Sequence, residues 1–264
     1  MSARAEQKAK ARAARLERER AEKAAATRRK RLLGLLGAVL AAVVVAGGLI
    51  VASQVGSDDS STTGSQGDAS QVSGGSEVGA MLAGIPQNGR FLGDPKAPVV
   101  LTEFGDLQCP ACRQYSQEIL PGLISDYVKA GKVRLEFQPV SILGEDSEKA
   151  ARMSAAAGEQ DKMWTFNEVF YANQGQENTG YVTDEFLRSI GDATPGLDTK
   201  KALAVANESD SPAALITAAG LFQRYNLSAT PSFLLAERGK TPQPLDITAF
   251  EAKQFTDPID ALLK

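Results

Sequence analysis

Cys109 and Cys112 are the only cysteines in 264 residues, and they stand three apart in the stretch Gly105-Asp106-Leu107-Gln108-Cys109-Pro110-Ala111-Cys112. Such a pair is a redox couple, half of a metal site, or a small structural staple. Zinc normally takes four Cys or His ligands. The chain contains no histidine, so a tetrahedron could be completed only by carboxylates or by a second chain. The same lack leaves no imidazole to activate a cysteine nucleophile of the protease type. No metal and no cofactor is therefore expected beyond the cysteine pair itself. A structural bridge across so short a loop removes little entropy from the unfolded chain. The redox reading accounts for the position as well as the spacing. Cys109 falls where a predicted strand gives way to a predicted helix, and free N–H groups and the helix dipole there favour a thiolate. Pro110 suits the first helical turn, where its missing N–H costs nothing. Cys112, one turn further on, faces back towards Cys109 and can attack a mixed disulfide formed there. The pair reads as a reactive dithiol, with a structural disulfide as the alternative.

The elements that must position this pair follow from the hydrophobic pattern. Val99 to Phe104 reads as a buried strand ended by Gly105 and Asp106. Tyr115, Ile119, Leu123, Tyr127 and Val128 recur at helical spacing, and Gly131 supplies a stop. Val133 to Phe137 alternates as a second strand and halts before Pro139. Strand, helix and strand in that order imply a parallel pair joined by a crossover. A long helical region then runs from Ser147 to Asn226, in pieces predicted over Ser147–Ala157, Asp161–Tyr171, Thr183–Gly191, Thr199–Ala206 and Pro212–Tyr225. Trp164, Phe166, Phe170, Phe186 and Leu187 are its expected core. Ser232 to Leu235 gives a short strand, Pro244 to Ile247 a weak edge strand, and Phe250 to Leu263 a closing helix. The fold class is α/β.

The N-terminal third differs in composition. Residues 1–31 carry twelve Lys/Arg against four Glu, a charge of +8, while the whole chain is −3, so everything after this arm sums to −11. An acidic main body argues against nucleic acid as the main ligand. Leu32 to Ser53 is uncharged, mostly apolar, and long enough to cross about 30 Å of hydrocarbon as a helix. The Arg28-Arg29-Lys30-Arg31 cluster before it and Asp58-Asp59 beyond it place the N-terminus in the cytoplasm and the main body outside. The run is too long, and its basic flank too extended, for an ordinary cleaved signal. Residues 56–84 are dominated by Ser, Gly, Thr, Gln and Asp and are expected to be a flexible tether. The expected domains are thus a basic arm (1–31), a transmembrane helix (32–55), a linker (56–84) and a globular domain (85–264) with a helical insertion at about 147–228.

The segment GDPKAPVVLTEFGDLQCPAC, Gly93 to Cys112, together with the helical region from Ser147 and the tripeptide Thr230-Pro231-Ser232, resembles the DsbA-like branch of the thioredoxin superfamily. The segment Gly93 to Cys112 is especially similar to bacterial membrane-anchored or secreted DsbA-like thiol-disulfide oxidoreductases. The resemblance covers Gly93 to the C-terminus. It implies a thioredoxin fold with an inserted helical subdomain, here preceded by a single transmembrane helix. It further implies that Pro231 is a cis-proline facing the dithiol and that Thr230 exposes its backbone for pairing with an extended substrate peptide. Glu103, six residues before Cys109, matches the buried acid that moves protons during exchange. The chain departs from the strongest oxidases of the branch at Ala111, where those often carry a histidine, so a less oxidising dithiol is expected. The function implied is introduction of disulfides into exported proteins outside the cytoplasm, with Cys109 as the attacked sulfur and Cys112 as the buried partner. A disulfide reductase or isomerase of the same fold, or a non-catalytic ectodomain with a structural disulfide, are the alternatives. The implied partners are unfolded or folding exported proteins with free cysteines and a membrane quinone-linked thiol oxidase that reloads the pair. The protein itself would sit in the cell membrane through its single span.

Overall fold

The computed structural model of the chain describes residues 72–264 apart from Ser211. The basic arm and the apolar run Leu32 to Ser53 lie outside them. Among the described residues, no helix is long and apolar enough to cross a membrane.

A six-stranded sheet forms the centre. Its strands are β1 (Gln87–Asn88), β2 (Phe91–Leu92), β3 (Val99–Gly105), β4 (Val133–Pro139), β5 (Ser232–Glu237) and β6 (Gln243–Leu245), in the spatial order β1-β2-β4-β3-β5-β6. β3 and β4 are parallel, with Val99 opposite Val133 and Glu103 opposite Phe137. β3 and β5 are antiparallel, with Glu103 opposite Phe233. The expected parallel pair is thus present, and β3 occupies the middle of the sheet. Its run Val-Val-Leu-Thr-Glu-Phe-Gly is buried apart from Val100, which is partly so, as a strand with both faces covered requires. One face packs into the main core. On the other, Phe104, Val140, Ala218 and Leu234 form a second cluster closed by Leu221, Phe222, Tyr225 and Leu227.

The crossover from β3 to β4 starts at α2 (Pro110–Glu118), the first helix after the cysteine-containing turn. A single helix to Gly131 was the expectation; the structure breaks it. Pro121 cannot donate a backbone hydrogen bond, and at Ile119 the chain steps into a short helix α3 (Leu120–Leu123) and then a π-helical turn (Ile124–Val128). Tyr115, Ile119, Leu123, Tyr127 and Val128 are nevertheless all buried, so the apolar face survives the break.

Between β4 and β5 lies the helical insertion: α4 (Glu145–Gly158), α5 (Met163–Ala172), α6 (Asp184–Asp192), α7 (Thr199–Ala206) and α8 (Ala213–Arg224). It shares the main core with the sheet through Trp164, Phe166 and Phe170. The Trp164 indole N–H donates to the Arg90 carbonyl at 2.9 Å and so ties the insertion to the β1–β2 hairpin. That hairpin, with two-residue strands, is absent from the sequence pattern. A closing helix, α9 (Ala252–Leu262), covers β5 through Phe255 and Ile259.

The tether expected over 56–84 is corrected at its C-terminal end. Gly75–Met81 forms a helix, α1, whose Val78 is buried together with Leu82 in the main core. Asn173 pins its start, accepting from the Ser73 N–H at 3.0 Å and donating to the Ser73 carbonyl at 2.8 Å. Any side chain at Gly75 would collide with the Ala193 carbonyl. The small residues that look like flexible linker are there because the backbone packs closely.

Candidate active site

The CPAC turn sits at the carboxyl end of β3, where the strand hands over to α2. Cys109 is the N-cap of α2 in an extended conformation, and Pro110 opens the helix. The Cys109 N–H donates to the Asp106 carbonyl at 2.9 Å, and the Arg113 N–H donates back to the Cys109 carbonyl at 3.2 Å. Both cysteines are free thiols. Cys112 is fully buried, while Cys109 retains 7 % exposure, so any partner reaches the pair through Cys109.

From the far end of the chain, the turn before β5 brings Thr230 and Pro231 against the dithiol. The Thr230–Pro231 peptide bond is cis, and the Cys109 Sγ–H donates to the Thr230 carbonyl at 3.2 Å. Glu103 lies below the pair on β3, buried between its cross-strand neighbours Phe137 and Phe233. All five residues singled out from the sequence and its family resemblance therefore meet at one place. Arg113, two residues after Ala111, is directed elsewhere and donates to the Gln174 carbonyl at 3.3 Å.

The electrostatics separate the two sulfurs. The Cys109 thiol is lowered from an ordinary 9.0 to about 6. Its largest support is a hydrogen bond from the Cys112 thiol; burial opposes this, and the Thr230 side chain and the Cys112 and Ala111 N–H groups add to it. The helix N-terminus thus contributes, but less than the neighbouring sulfur. Cys112 moves the other way, pushed well up by burial and then by its bond to Cys109. One thiolate and one thiol is the stable reduced state over a wide pH range. Because Cys109 is depressed, its stabilising effect on the reduced fold is complete above pH 9.0 and is lost as pH falls through about 6. Alkylation of the reduced protein should accordingly show a midpoint near pH 6 for Cys109. In Cys112→Ala, which removes the largest support, that midpoint should rise; an unchanged midpoint would refute the assignment.

Burial pushes Glu103 well above the usual carboxylate range, with further repulsion from Glu168 and Cys109. Its Oε1 has no hydrogen-bond partner among the described residues. Burial thus favours its protonated form, and a charge on Glu103 would in turn raise Cys112.

Three further residues were not singled out from the sequence. Asp106, read there only as a strand stop, is fully buried and holds the turn in place. Its Oδ1 accepts from the Gln108 N–H at 2.9 Å and the Ser147 hydroxyl at 2.7 Å, and its Oδ2 from the Ile142 and Leu143 N–H groups at 2.8 and 3.2 Å. Gln174, just past α5, donates from its amide to the Leu107 carbonyl at 2.7 Å and the Cys109 carbonyl at 3.1 Å. Glu168, on α5, is buried and accepts from the Ser116 hydroxyl at 2.6 Å. A strand-stop aspartate is the only sequence signal any of them gave. The insertion thus supplies part of the frame that holds the dithiol.

The chain is 40 % identical over 101 residues to a probable disulfide bond formation protein D of Bacillus cereus, a match covering 38 % of this chain and 47 % of that protein. It is 26 % identical over 153 residues to disulfide bond formation protein D of Bacillus subtilis, covering 56 % of this chain and 67 % of the relative. In these first matches, the chain spans about half the length of the curated relatives. The crystal structure of oxidised BdbD from Bacillus subtilis superposes with a TM-score of 0.59 at 24 % identity, over 68 % of this chain and 97 % of that one, and shows a shared fold. The helical insertion between β4 and β5 belongs to the fold that the chain shares with such structures, and the family model described as thioredoxin matches residues 86–252, so the chain belongs to the thioredoxin family.

Proposed function

We propose that the protein is a thiol-disulfide oxidoreductase that donates the Cys109–Cys112 disulfide to exported proteins. The observation that carries this reading is the unequal pair: a sulfur held as thiolate at the surface end and a buried partner held as thiol. A thiolate that is a stable species in the reduced protein favours the reduced form, and a pair that prefers to be reduced gives its disulfide away. Relatives named for disulfide bond formation support the same direction.

In the donating reaction, a substrate thiolate attacks Cys109 Sγ, the bond to Cys112 breaks, and Cys112 leaves with the electron pair and takes up a proton. A second substrate thiolate then attacks the substrate sulfur of the mixed disulfide and releases Cys109 as thiolate. The substrate dithiol is oxidised, and the protein's disulfide is reduced to one thiolate and one thiol. Thr230, whose carbonyl is adjacent to the reacting sulfur, suits an extended peptide lying along the turn, which favours unfolded or folding substrates. Reloading requires removal of two electrons, and a membrane quinone-linked thiol oxidase is the partner proposed. The apolar run Leu32 to Ser53 and the basic arm before it would keep the domain beside that partner, outside the cytoplasm, at raised effective concentration.

Equilibration of the full chain with graded glutathione buffers tests the direction. A donor should have a potential at or above about −180 mV. A value at or below about −270 mV would overturn donation in favour of reduction or of a structural bridge. The pH dependence provides a second reading: with Cys109 ionised above about pH 6, reduction takes up one proton per two electrons, so the potential should fall by about 30 mV per pH unit, steepening to about 59 mV below it.

A further inference from the structure

Cys109 is flanked on two sides. Its Sγ–H reaches the Thr230 carbonyl, whereas its backbone carbonyl accepts from the Gln174 amide at 3.1 Å, on the loop that follows α5. Between that loop and α2 lies an open groove of about 670 Å³, which begins at Pro110, the residue next to the reactive cysteine. Pro110, Arg113, Gln114 and Gln117 form one wall, at i, i+3, i+4 and i+7 on the face of α2 opposite the buried Cys112, Tyr115 and Ser116. Gln174 and Gln176 stand on the other wall. That loop is tied to the CPAC turn: Gln174 also donates to the Leu107 carbonyl at 2.7 Å, and the Asn178 N–H donates to Gln108 Oε1 at 3.0 Å. The Arg113 guanidinium crosses to the Gln174 carbonyl at 3.3 Å. Tyr181 backs the loop, its ring 3.0 Å from where a Cβ on Gly175 would stand. The groove is thus formed before any substrate arrives, and little ordering is left for binding to impose.

The walls carry amides rather than apolar side chains. Gln114 is engaged by Glu118 at 3.0 Å. Among the described residues, the exposed side chains of Gln117 and Gln176 bond to nothing; Gln176 gives only its backbone carbonyl, to the Thr179 hydroxyl at 2.8 Å. A carboxamide offers one acceptor and a donor group, the same pair that a peptide backbone presents. An apolar segment laid here would strand those groups away from water, whereas an extended polar segment satisfies them. From Pro110 to Gln117 the helix rises about 10 Å, the length of roughly three residues of extended chain. We propose that this groove holds the polar residues flanking the substrate's reacting cysteine, so that the peptide runs from Thr230 across Cys109 and along α2, its backbone paired with Gln117 and Gln176. The inference rests on the dithiol being an exchange centre and adds which substrates it takes: unfolded segments whose cysteine is set among polar residues, held through the main chain rather than by sequence.

The test uses the oxidised full chain and two synthetic dithiol peptides with the same cysteine pair, one bare and one carrying uncharged polar residues on both sides. Acid quenching, alkylation and mass spectrometry give the rate at which each peptide reduces the Cys109–Cys112 disulfide. The ratio of the two rates cancels the chemistry of the sulfurs and reports the flanks. One net hydrogen bond is worth about fivefold, so two should make the flanked peptide react about 25-fold faster with the wild type. Gln117→Ala removes one amide without adding bulk and should cut the ratio by about fivefold. Gln117→Trp and Gln176→Trp fill the groove from opposite walls at exposed positions, and each should cut it at least as far. Lys200→Trp, exposed on α7 and outside the groove, should keep the wild-type ratio. A ratio near one in the wild type, one that survives in both filled variants, or one lost equally in Lys200→Trp would overturn the proposal and leave exchange intact. Failure of both peptides to reduce the wild-type disulfide would instead overturn the exchange reading itself, and this inference with it.

Discussion

Replacing Cys112 by serine should stop turnover and leave the substrate covalently attached to Cys109. The disulfide-donating half-reaction passes through a mixed disulfide at Cys109, and the same species forms when reduced Cys109 attacks a disulfide. In the wild type, Cys112 can always reverse it, because its sulfur lies within hydrogen-bonding reach of Cys109 and attacks intramolecularly. A serine hydroxyl can still donate to the Cys109 thiolate, so the nucleophile at position 109 is preserved, but it cannot attack sulfur. The adduct should therefore persist until an external thiol removes it. Non-reducing gels and mass spectrometry should show stoichiometric attachment of cysteine-containing peptides, abolished by reductant and absent in Cys109→Ser. Cys112 is fully buried, and a serine there costs about 1–3 kcal/mol for any hydrogen bond left unmade, which a folded domain tolerates. Recovery of no adduct from a folded Cys112→Ser protein, or its release at the wild-type rate, would remove Cys112 from the mechanism.

The parts of this site that were legible in the sequence are those encoded locally. The buried run of β3, the CPxC spacing and the proline at the helix start specify a strand-turn-helix on their own, because each depends on neighbours within a few residues. Pro231 and Thr230, by contrast, read locally as no more than an extended turn. Only the family resemblance linked them to cysteines more than a hundred positions away. Glu168 was invisible for a different physical reason. Met163 to Tyr171 is buried on every side, so the helix has no polar face against which an inward-pointing acid would stand out. The hairpin at Gln87–Leu92 escaped because two-residue strands carry no period. Gly75 misled because a small residue serves close packing as readily as flexibility, and composition cannot distinguish the two.

Asp106 reads locally as the end of a strand, yet its removal should produce the largest loss of stability of any single change near the site. Asp106→Ala leaves two backbone N–H groups at Ile142 and Leu143, one at Gln108 and the Ser147 hydroxyl without their acceptor, all in a region where Asp106 itself is fully buried. Each unmade bond to a charged or buried group costs about 1–3 kcal/mol. Water entering the vacated space would recover part of that, so the net loss is expected at about 3–5 kcal/mol, near the upper end for point substitutions. For a domain of this size, that corresponds to a melting temperature lower by about 6–20 °C. Asp106→Asn should fall between Ala and wild type: the amide can serve one side of the network, but its NH2 group faces N–H donors on the other. The functional consequence follows from the same bonds. Asp106 joins the CPAC turn to the loop before α4 and to the start of that helix, and its own carbonyl holds the Cys109 N–H. With the turn loosened, the N–H groups and the Cys112 thiol that support the Cys109 thiolate are no longer fixed around it, so the Cys109 midpoint should rise from about 6 in step with the loss of stability. Thermal unfolding and alkylation measured on the same three proteins decide the matter. An Ala variant that melts within a few degrees of wild type, with Cys109 unmoved, would show that the loop holds its shape without the carboxylate and that the dithiol is positioned by the sheet and α2 alone.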